Sequence, residues 1–545
     1  MKKFIKIAFV ATLFAVVTSS CVKDLNVKPI DPNTVLPEDV LNSEEAFNQL
    51  LAKCYQGLGS SASAGPDSSP DIDGVDGGYG QYMRAVVNLE EITTDIATVC
   101  WNDGNLFDLH NMCWNPNNEF VFSMYMRIFF QVSQCNEFIR RAKASEVNPF
   151  PKKDSFIAEA RALRLLSYYH AIDMFGNVPF CTEENSVGST APERIERADL
   201  FDWMVNECNN LLGGNDLAAI GANEYGRADK GLVKMILAKL YLNAAVWKGQ
   251  DKYDECAKLC DEIIADYPLH KTDIKDGNSY AELFCADNHN WTYNTTYPKK
   301  DELIFVAPQD GLLLRSYGST NFLTFACTFS VEGNPDKTMD AGALGISSGW
   351  SGISMTGTFT SKFGEIKENM KDNADRRAMF FTGGYNQYID QIRDASGGSE
   401  GYKSMKFANV NHDGSAAQAN GFVDIDFPIF RSADAYLMYA ECAARGKADK
   451  AKGLQYLNAV RARAGVGELE LTLPNIIDER ARELYLEGHR RQDLIRFGMF
   501  TGSDYLWEFK GGVQEGKAVD SHFNLFSIPA DDINANGNLV QNPGY

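Results

Sequence analysis

Past its first residues, this 545-residue chain has no apolar run approaching the roughly 20 consecutive positions that a membrane span requires. It has no Lys/Arg-rich run, and its formal net charge is −21, so its surface repels phosphate backbones and nucleic acid is excluded as an expected partner. Histidine is scarce: the seven are scattered without an HxH or HxxxH pair, and no cysteine–histidine set stands at zinc-ligand spacing, so no metal site is expected. No cofactor motif and no catalytic constellation appears. The acidic balance reads as solubility.

The opening residues set the compartment. Lys2, Lys3 and Lys6 form a positive segment, and Ile7 to Val17 form an apolar one too short to span a bilayer. Thr18, Ser19 and Ser20 then lead into Cys21. A cysteine directly after such a cleavage site resembles a bacterial lipobox. Residues 1–20 are therefore expected to be a lipoprotein signal, with Cys21 the lipidated residue. Two or more acyl chains, at about 0.8 kcal/mol per buried CH₂, suffice for stable anchoring. Residues 21–43, with Pro29, Pro32 and Pro37 and little periodicity, read as a tether. The other eleven of the twelve cysteines show no disulfide framework. Cys256 and Cys260, four apart on one helical face, point the same way, and most of the set reads as small buried hydrophobes.

Helical periodicity dominates much of the rest. In 155–175, Ala162, Leu165, Leu166, Tyr169 and Ile172 recur at three- and four-residue spacing until Gly176. A second stripe in 228–247 and a third through Tyr253, Cys256, Cys260 and Ile264 make a helical hairpin, and 432–465 repeats the pattern. Hairpins of about 34 residues with small residues at the crossing are the tetratricopeptide signature. The spacing alone leaves coincidental hairpins open. The stretch 266–426 differs: it is rich in Gly, Asn, Ser and aromatics, as in NHNWTYNTTY (288–297), SSGWSGISMTGTF (347–359) and HDGSAAQANGF (412–422). A second such patch covers 60–118. Disordered segments are aromatic-poor, so these read as ordered binding loops. The expected fold class is mainly α, with helical hairpins mainly within 44–265 and 427–500 and an irregular, loop-rich stretch at about 266–426.

The charged block Glu479, Arg480, Arg482, Glu483, Glu487, Arg490, Arg491, Asp493 and Arg496 has helical spacing and reads as local ion pairs worth a few tenths of a kcal/mol each. Glu159 with Arg161 and Arg164 reads the same way. NVNHDG (409–414) opens like a calcium loop but has Asn420 where a bidentate Glu belongs, so an Asx-rich turn is expected.

Several blocks together carry a resemblance: EITTDIATVCWNDGNLFDLHNMCWNPNN (91–118), AEARALRLLSYYHAIDMFGNVPF (158–180), GRADKGLVKMILAKLYLNA (226–244), FPIFRSADAYLMYAECAARG (427–446), LNAVRARAG (457–465), DERARELYLEGHRRQDLIRFG (478–498) and FSIPADDINANGNLVQNPGY (526–545). In this order, after a lipobox cysteine, they resemble the SusD/RagB family over essentially the whole mature chain, most weakly in 266–425. The resemblance implies a lipid-anchored outer-membrane protein on the cell surface of Bacteroidetes-type bacteria, folded from 44 to 545 as a single domain, a tetratricopeptide-like helical superhelix with an irregular, loop-rich ligand-binding lobe. It also implies a partner, a TonB-dependent SusC-like transporter, to which captured oligosaccharide or polysaccharide is passed.

A sugar ring offers an apolar C–H face and a belt of hydroxyls, so a glycan site needs flat aromatic faces with polar groups at their edges. Trp101 with Asn102, Asp103 and nearby Arg84 meets this description. So do Trp291 and Tyr293 with Asn290, and Trp350 among serines and glycines. Any one of these rings could equally be packing; Trp114 and Trp247, beside helical stripes, are assigned to the core. Each platform covers about 50–60 Å², or roughly 1.5 kcal/mol. Three platforms and a few hydrogen bonds, less association costs, give a Kd on the order of 0.05–1 mM. The alternatives are RagB-like capture of peptides and, less favoured, a glycoside hydrolase, whose flanking carboxylate pair no motif presents.

Overall fold

The computed structural model describes residues 40–62, 64–185, 188, 190–271, 278–289, 302–392 and 400–545. Cys21 and the segment carrying Asn290, Trp291 and Tyr293 lie outside these residues.

The chain is mainly helical. Helices α1 (Glu44–Gly59), α2 (Tyr82–Glu90), α3 (Glu119–Ala144), α4 (Lys153–Met174), α5 (Arg197–Gly213), α6 (Lys230–Trp247) and α7 (Tyr253–Asp266) precede the irregular lobe. Their starts follow elementary capping chemistry. The Asn118 side chain accepts from the backbone N–H groups of Phe120 and Val121 at the head of α3, and Asp229 accepts from Gly231 at the head of α6. The stripes read from sequence face inward: Leu165, Leu166 and Ile172 of α4 and Leu232, Met235 and Leu242 of α6 are fully buried. Consecutive helices pack as neighbours, α3 on α4, α4 on α5, α5 on α6 and α6 on α7.

The chain returns to this stack after the lobe. Strand β4 (Phe427–Arg431) runs directly into α9 (Ser432–Ala444), which pairs with α10 (Lys450–Arg463) and packs on α7. Leu437, Ala440, Leu457, Val460 and Ile476 make a compact cluster there. Helices α11 (Leu473–Leu484) and α12 (Arg490–Arg496) follow. The lobe contains more regular structure than its composition suggests. Helix α8 (Ser319–Cys327) lies inside it, and β2 (Leu303–Ala307) pairs antiparallel with β4, tying lobe to scaffold. Strand β1 (Ala97–Val99) pairs antiparallel with β3 (Ile353–Met355), so the two loop-rich patches around 60–118 and 347–359 form one surface. Among the described residues no helix is long and apolar enough to cross a membrane.

The charged block is ion-paired, but not as helical spacing suggests. Arg482–Glu479 and Arg496–Asp493 are local. Most of the block instead reaches across the fold and is buried. Arg490 meets Asp95 at 2.6 Å, Arg491 meets Glu90 at 3.1 Å, and Arg496 meets Glu441 at 2.8 Å. Arg431, at the end of β4, holds Glu302, Glu483 and Glu487 at 2.7, 2.6 and 2.6 Å. Likewise Glu159 pairs with Arg227 at 2.8 Å, while Arg161 and Arg164 turn to Glu207. The block is divided mainly between the short helices α11 and α12, so its side chains meet opposite charges that converge from neighbouring elements.

Removal from water would raise the pKa of Glu479 and Glu483, but the surrounding guanidinium groups overwhelm that. Arg377, Arg482 and Arg461 hold Glu479 at about 2, and Arg463, Arg431 and Arg377 hold Glu483 at about 2. A carboxylate whose folded pKa is depressed contributes its full stability above the ordinary carboxylate range and loses it as pH falls toward the folded value. The unfolding midpoint in guanidinium is therefore expected to drop steeply from about pH 4.5 downward, as this cluster's contribution is lost. A midpoint unchanged down to about pH 3 would contradict this.

Among the described cysteines, most are buried and none is bridged; Cys113 is exposed. The Cys256 and Cys260 sulfurs lie 3.9 Å apart. Burial raises the pKa of both thiols, so they pack as neutral groups. Trp114 and Trp247 are core residues, 2% and 4% exposed. In the 409–414 segment, Asp413 accepts from the Ser415 N–H at 2.9 Å and Asn411 O accepts from Gly414 N at 2.8 Å, an Asx-type turn.

Candidate glycan-binding face

The β1–β3 pairing brings together residues about 250 positions apart in the chain. Past Val99, which pairs with Ile353, the Cys100 N–H donates to Gly352 O at 2.9 Å, and this delivers Trp101 onto Gly352. A methyl group at Gly352 would sit 2.2 Å from Trp101 Cζ2, so only glycine lets the indole lie against the backbone there. The indole Nε1–H donates to the Trp350 carbonyl at 3.1 Å. Trp350 is held in turn by its own N–H, which donates to Phe325 O at 2.7 Å, and its ring packs on Phe325 with centroids 4.9 Å apart. Between the two tryptophan contacts, Ser351 has φ of 53°, a left-handed conformation uncommon for serine. Its hydroxyl accepts from Ser330 N at 3.0 Å, and its N–H donates to Thr328 O, so the surroundings fix the turn.

Phe322 and Phe325 of α8, both buried, form the floor. Arg84, in the first turn of α2, lies over Phe322 at 4.1 Å and near Trp101 at 5.8 Å. Its Nη1 donates to Tyr317 O at 3.2 Å and Gly78 O at 3.3 Å. Burial pulls this guanidinium down to about 10, opposed by Asp103 and Asp76, so it remains a cation at neutral pH. Gln81 binds the two helix starts: its Oε1 accepts from Arg84 N at 2.8 Å and from Ser319 N at 3.1 Å.

The face continues beyond the residues the sequence singles out. Tyr317 lies 6.0 Å from Trp350 and 5.5 Å from Phe422, and its hydroxyl donates to Asp67 at 2.7 Å. Arg315 stands over Phe422 at 5.7 Å. Trp101, Trp350, Tyr317 and Phe422 are each half-buried, while Asn102, Asp103, Asp67 and Arg315 are exposed. The result is a row of partly open aromatic rings with carboxylates, an amide and guanidinium groups at its edges. Such a surface suits a ligand with both C–H faces and hydroxyls.

Arg84, Trp101 and Trp350, taken separately from sequence, are thus neighbours, with Asn102 and Asp103 at the rim. Tyr317 and Phe422 were missed. The signal for them was present only as aromatics in the loop-rich segments, with nothing to pair them. Asn290, Trp291 and Tyr293 lie outside the described residues. A separate concavity of about 1030 Å³ is lined by Arg140, Phe180, Arg194 and Glu196 among others and shares no lining residue with this face. Its Arg140 and Arg194 already pair with Glu137 and Glu196, and no row of aromatic rings lines it. Among the described residues no group of three or more His, Cys, Asp or Glu could hold a metal ion.

A helical-repeat scaffold that displays an aromatic, polar-edged face defines a class of binding protein. The model of the SusD family matches residues 336–545. The starch-binding protein SusD of Bacteroides thetaiotaomicron is 32% identical over 588 aligned positions, covering 100% of this chain and 99% of that protein. A SusD-like protein of Formosa agariphila is 26% identical, covering 71% of this chain and 73% of that protein. Among solved structures, surface glycan-binding protein A of Bacteroides thetaiotaomicron, in complex with laminarihexaose, superposes with a TM-score of 0.63. It shows 21% identity and covers 92% of this chain and 99% of that one. A SusD superfamily protein of Parabacteroides distasonis gives 0.66, with 22% identity and the same coverage. This chain belongs to the SusD family, whose members are binding proteins rather than enzymes.

Proposed function

We propose that this protein captures starch-type oligosaccharides and polysaccharide at the cell surface and passes them to a TonB-dependent SusC-like transporter in the outer membrane. The observation that carries the reading is the joining of Trp101 and Trp350 into one partly open face with Arg84 packed behind it, in a chain 32% identical end to end to a starch-binding protein. Sugar rings stack on Trp101 and Trp350. Arg84, Asn102 and Asp103 bind hydroxyls at the edges, and Tyr317 and Phe422 extend the platform. Asn290, Trp291 and Tyr293 remain part of the proposed site on their residue chemistry alone. No described feature favours peptide capture, since the rings lie open rather than forming a strand-docking edge or a closed pocket.

Calorimetry with maltoheptaose, laminarihexaose and a panel of short peptides tests the reading. Millimolar-or-tighter binding of maltoheptaose, with weaker or no binding of the others, is the expected result; binding of peptide alone would overturn it. The location rests on Cys21. Replacing Cys21 by alanine is expected to release the protein from the membrane fraction, measured by fractionation, because both acyl chains and the amine-linked chain depend on that thiol. A membrane-bound Cys21→Ala protein would remove the lipid anchor from the account.

A further inference from the structure

The construction that seats Trp101 on Gly352 occurs a second time, at the other end of the same strand. Gly357, two residues past β3, has the ring of Tyr388 against its backbone: a methyl group there would sit 2.3 Å from Tyr388 Cδ1. Tyr388 is 57% exposed, one of the most open large side chains among the described residues. We propose that Tyr388 is a second sugar platform, separate from the face around Trp101 and Trp350, that engages a further stretch of the same glucan chain. The proposal rests on the glycan reading above.

The ring is displayed by backbone that is fixed on both sides. Tyr385, buried, donates its hydroxyl to Lys337 O at 2.7 Å, Gln387 donates to Thr360 Oγ1 at 3.1 Å, and Ile389 is buried against Phe107 and Ile392. Beneath it, the Glu508 carboxylate accepts from Gly357 N at 2.6 Å and Thr358 N at 3.2 Å, which pins the platform's base. An exposed tyrosine on mobile backbone would lose much of its stacking energy to ordering; here that cost is already met by the fold. The exposed side chains of Asn386 and Asp390, two residues to either side, give hydroxyl partners around an apolar ring, the same pairing of chemistries as on the first face. An apolar protein partner is less well matched, because a single ring with a polar rim buries too little apolar surface. Gly352 and Gly357 stand five positions apart in the chain, a span of at most about 17–18 Å. A glucan several units long has the length to cover that interval in addition to the first face.

Two linked contacts on one ligand raise retention of a long chain without changing the affinity of a short one. Tyr388→Ala, in the full chain, is therefore expected to bind maltotriose as the wild type does, by calorimetry. On an amylopectin affinity gel its retention is expected to fall about five- to tenfold, the loss of one stacked ring. Tyr388→Phe should be retained like the wild type, and an unchanged melting temperature in both variants is expected of so exposed a ring. Retention of Tyr388→Ala equal to the wild type overturns the proposal, as does an equal loss for maltotriose and amylopectin, which would make it part of a single site. Failure of the wild type itself to bind either glucan is read separately, and removes the ligand class on which both readings rest.

Discussion

Trp101→Ala is expected to weaken maltoheptaose binding at least tenfold by calorimetry while lowering the melting temperature by only a few degrees. The ring supplies one stacking surface of about 50–60 Å², about 1.5 kcal/mol, which alone is roughly tenfold in Kd. Its loss also removes the indole N–H that fixes the Trp350 carbonyl at 3.1 Å and uncovers one side of Arg84. A second platform and a charged edge group are thus left less ordered, which adds to the drop. The stability cost is bounded by the same geometry. Trp101 is half-buried and lies against a glycine backbone rather than inside the core, so it costs about 1–2 kcal/mol, below the ~3–5 kcal/mol of a fully enclosed aromatic. Affinity within twofold of the wild type would place the ligand elsewhere. A collapsed fold would place the ring in the core.

The largest effect on stability is expected at Arg431. Its guanidinium is fully buried and bridges Glu302 of the lobe, at 2.7 Å, to Glu483 and Glu487 beyond α9 and α10. Arg431→Met leaves those carboxylates short of a cation in a dry environment. Breaking one partner of a buried ionic cluster costs about 3–5 kcal/mol, more than the pair contributes relative to well-packed apolar groups. Arg377, Arg463 and Lys406 remain beside the same acids, so the fold survives but melts earlier by several degrees or more. Because Arg431 ends β4, which ties the lobe to the scaffold through β2, the lobe is expected to lose hydrogen-exchange protection first. A melting curve identical to the wild type would show the cluster to be dispensable.

The helical scaffold was legible in the sequence because each helix buries a face at a spacing that only helical geometry produces. The stripes through Leu165, Leu166 and Ile172, and through Leu232, Met235 and Leu242, are local signals, and the structure buries all of these residues. Charge was legible in kind and illegible in partner. Helical spacing suggested that Arg490 pairs with a neighbour, yet its partner, Asp95, is 395 residues away. The proposed binding face was legible by composition alone. Nothing local couples Trp101 to Trp350, since β1 and β3 are three residues each, too short for an alternating pattern to show. Gly352, the last residue of GWSG, carried the missing information, as a place where a second ring can touch backbone. Tyr317 and Phe422 became visible only once α8 had brought their loops together.

A crystal structure with maltoheptaose bound tests the central claim most directly. Sugar rings resolved against Trp101 and Trp350, with hydroxyls within hydrogen-bond distance of Arg84, Asn102 or Asp103, are the expected result. Density for the oligosaccharide elsewhere on the molecule, with both tryptophans bare, would contradict it.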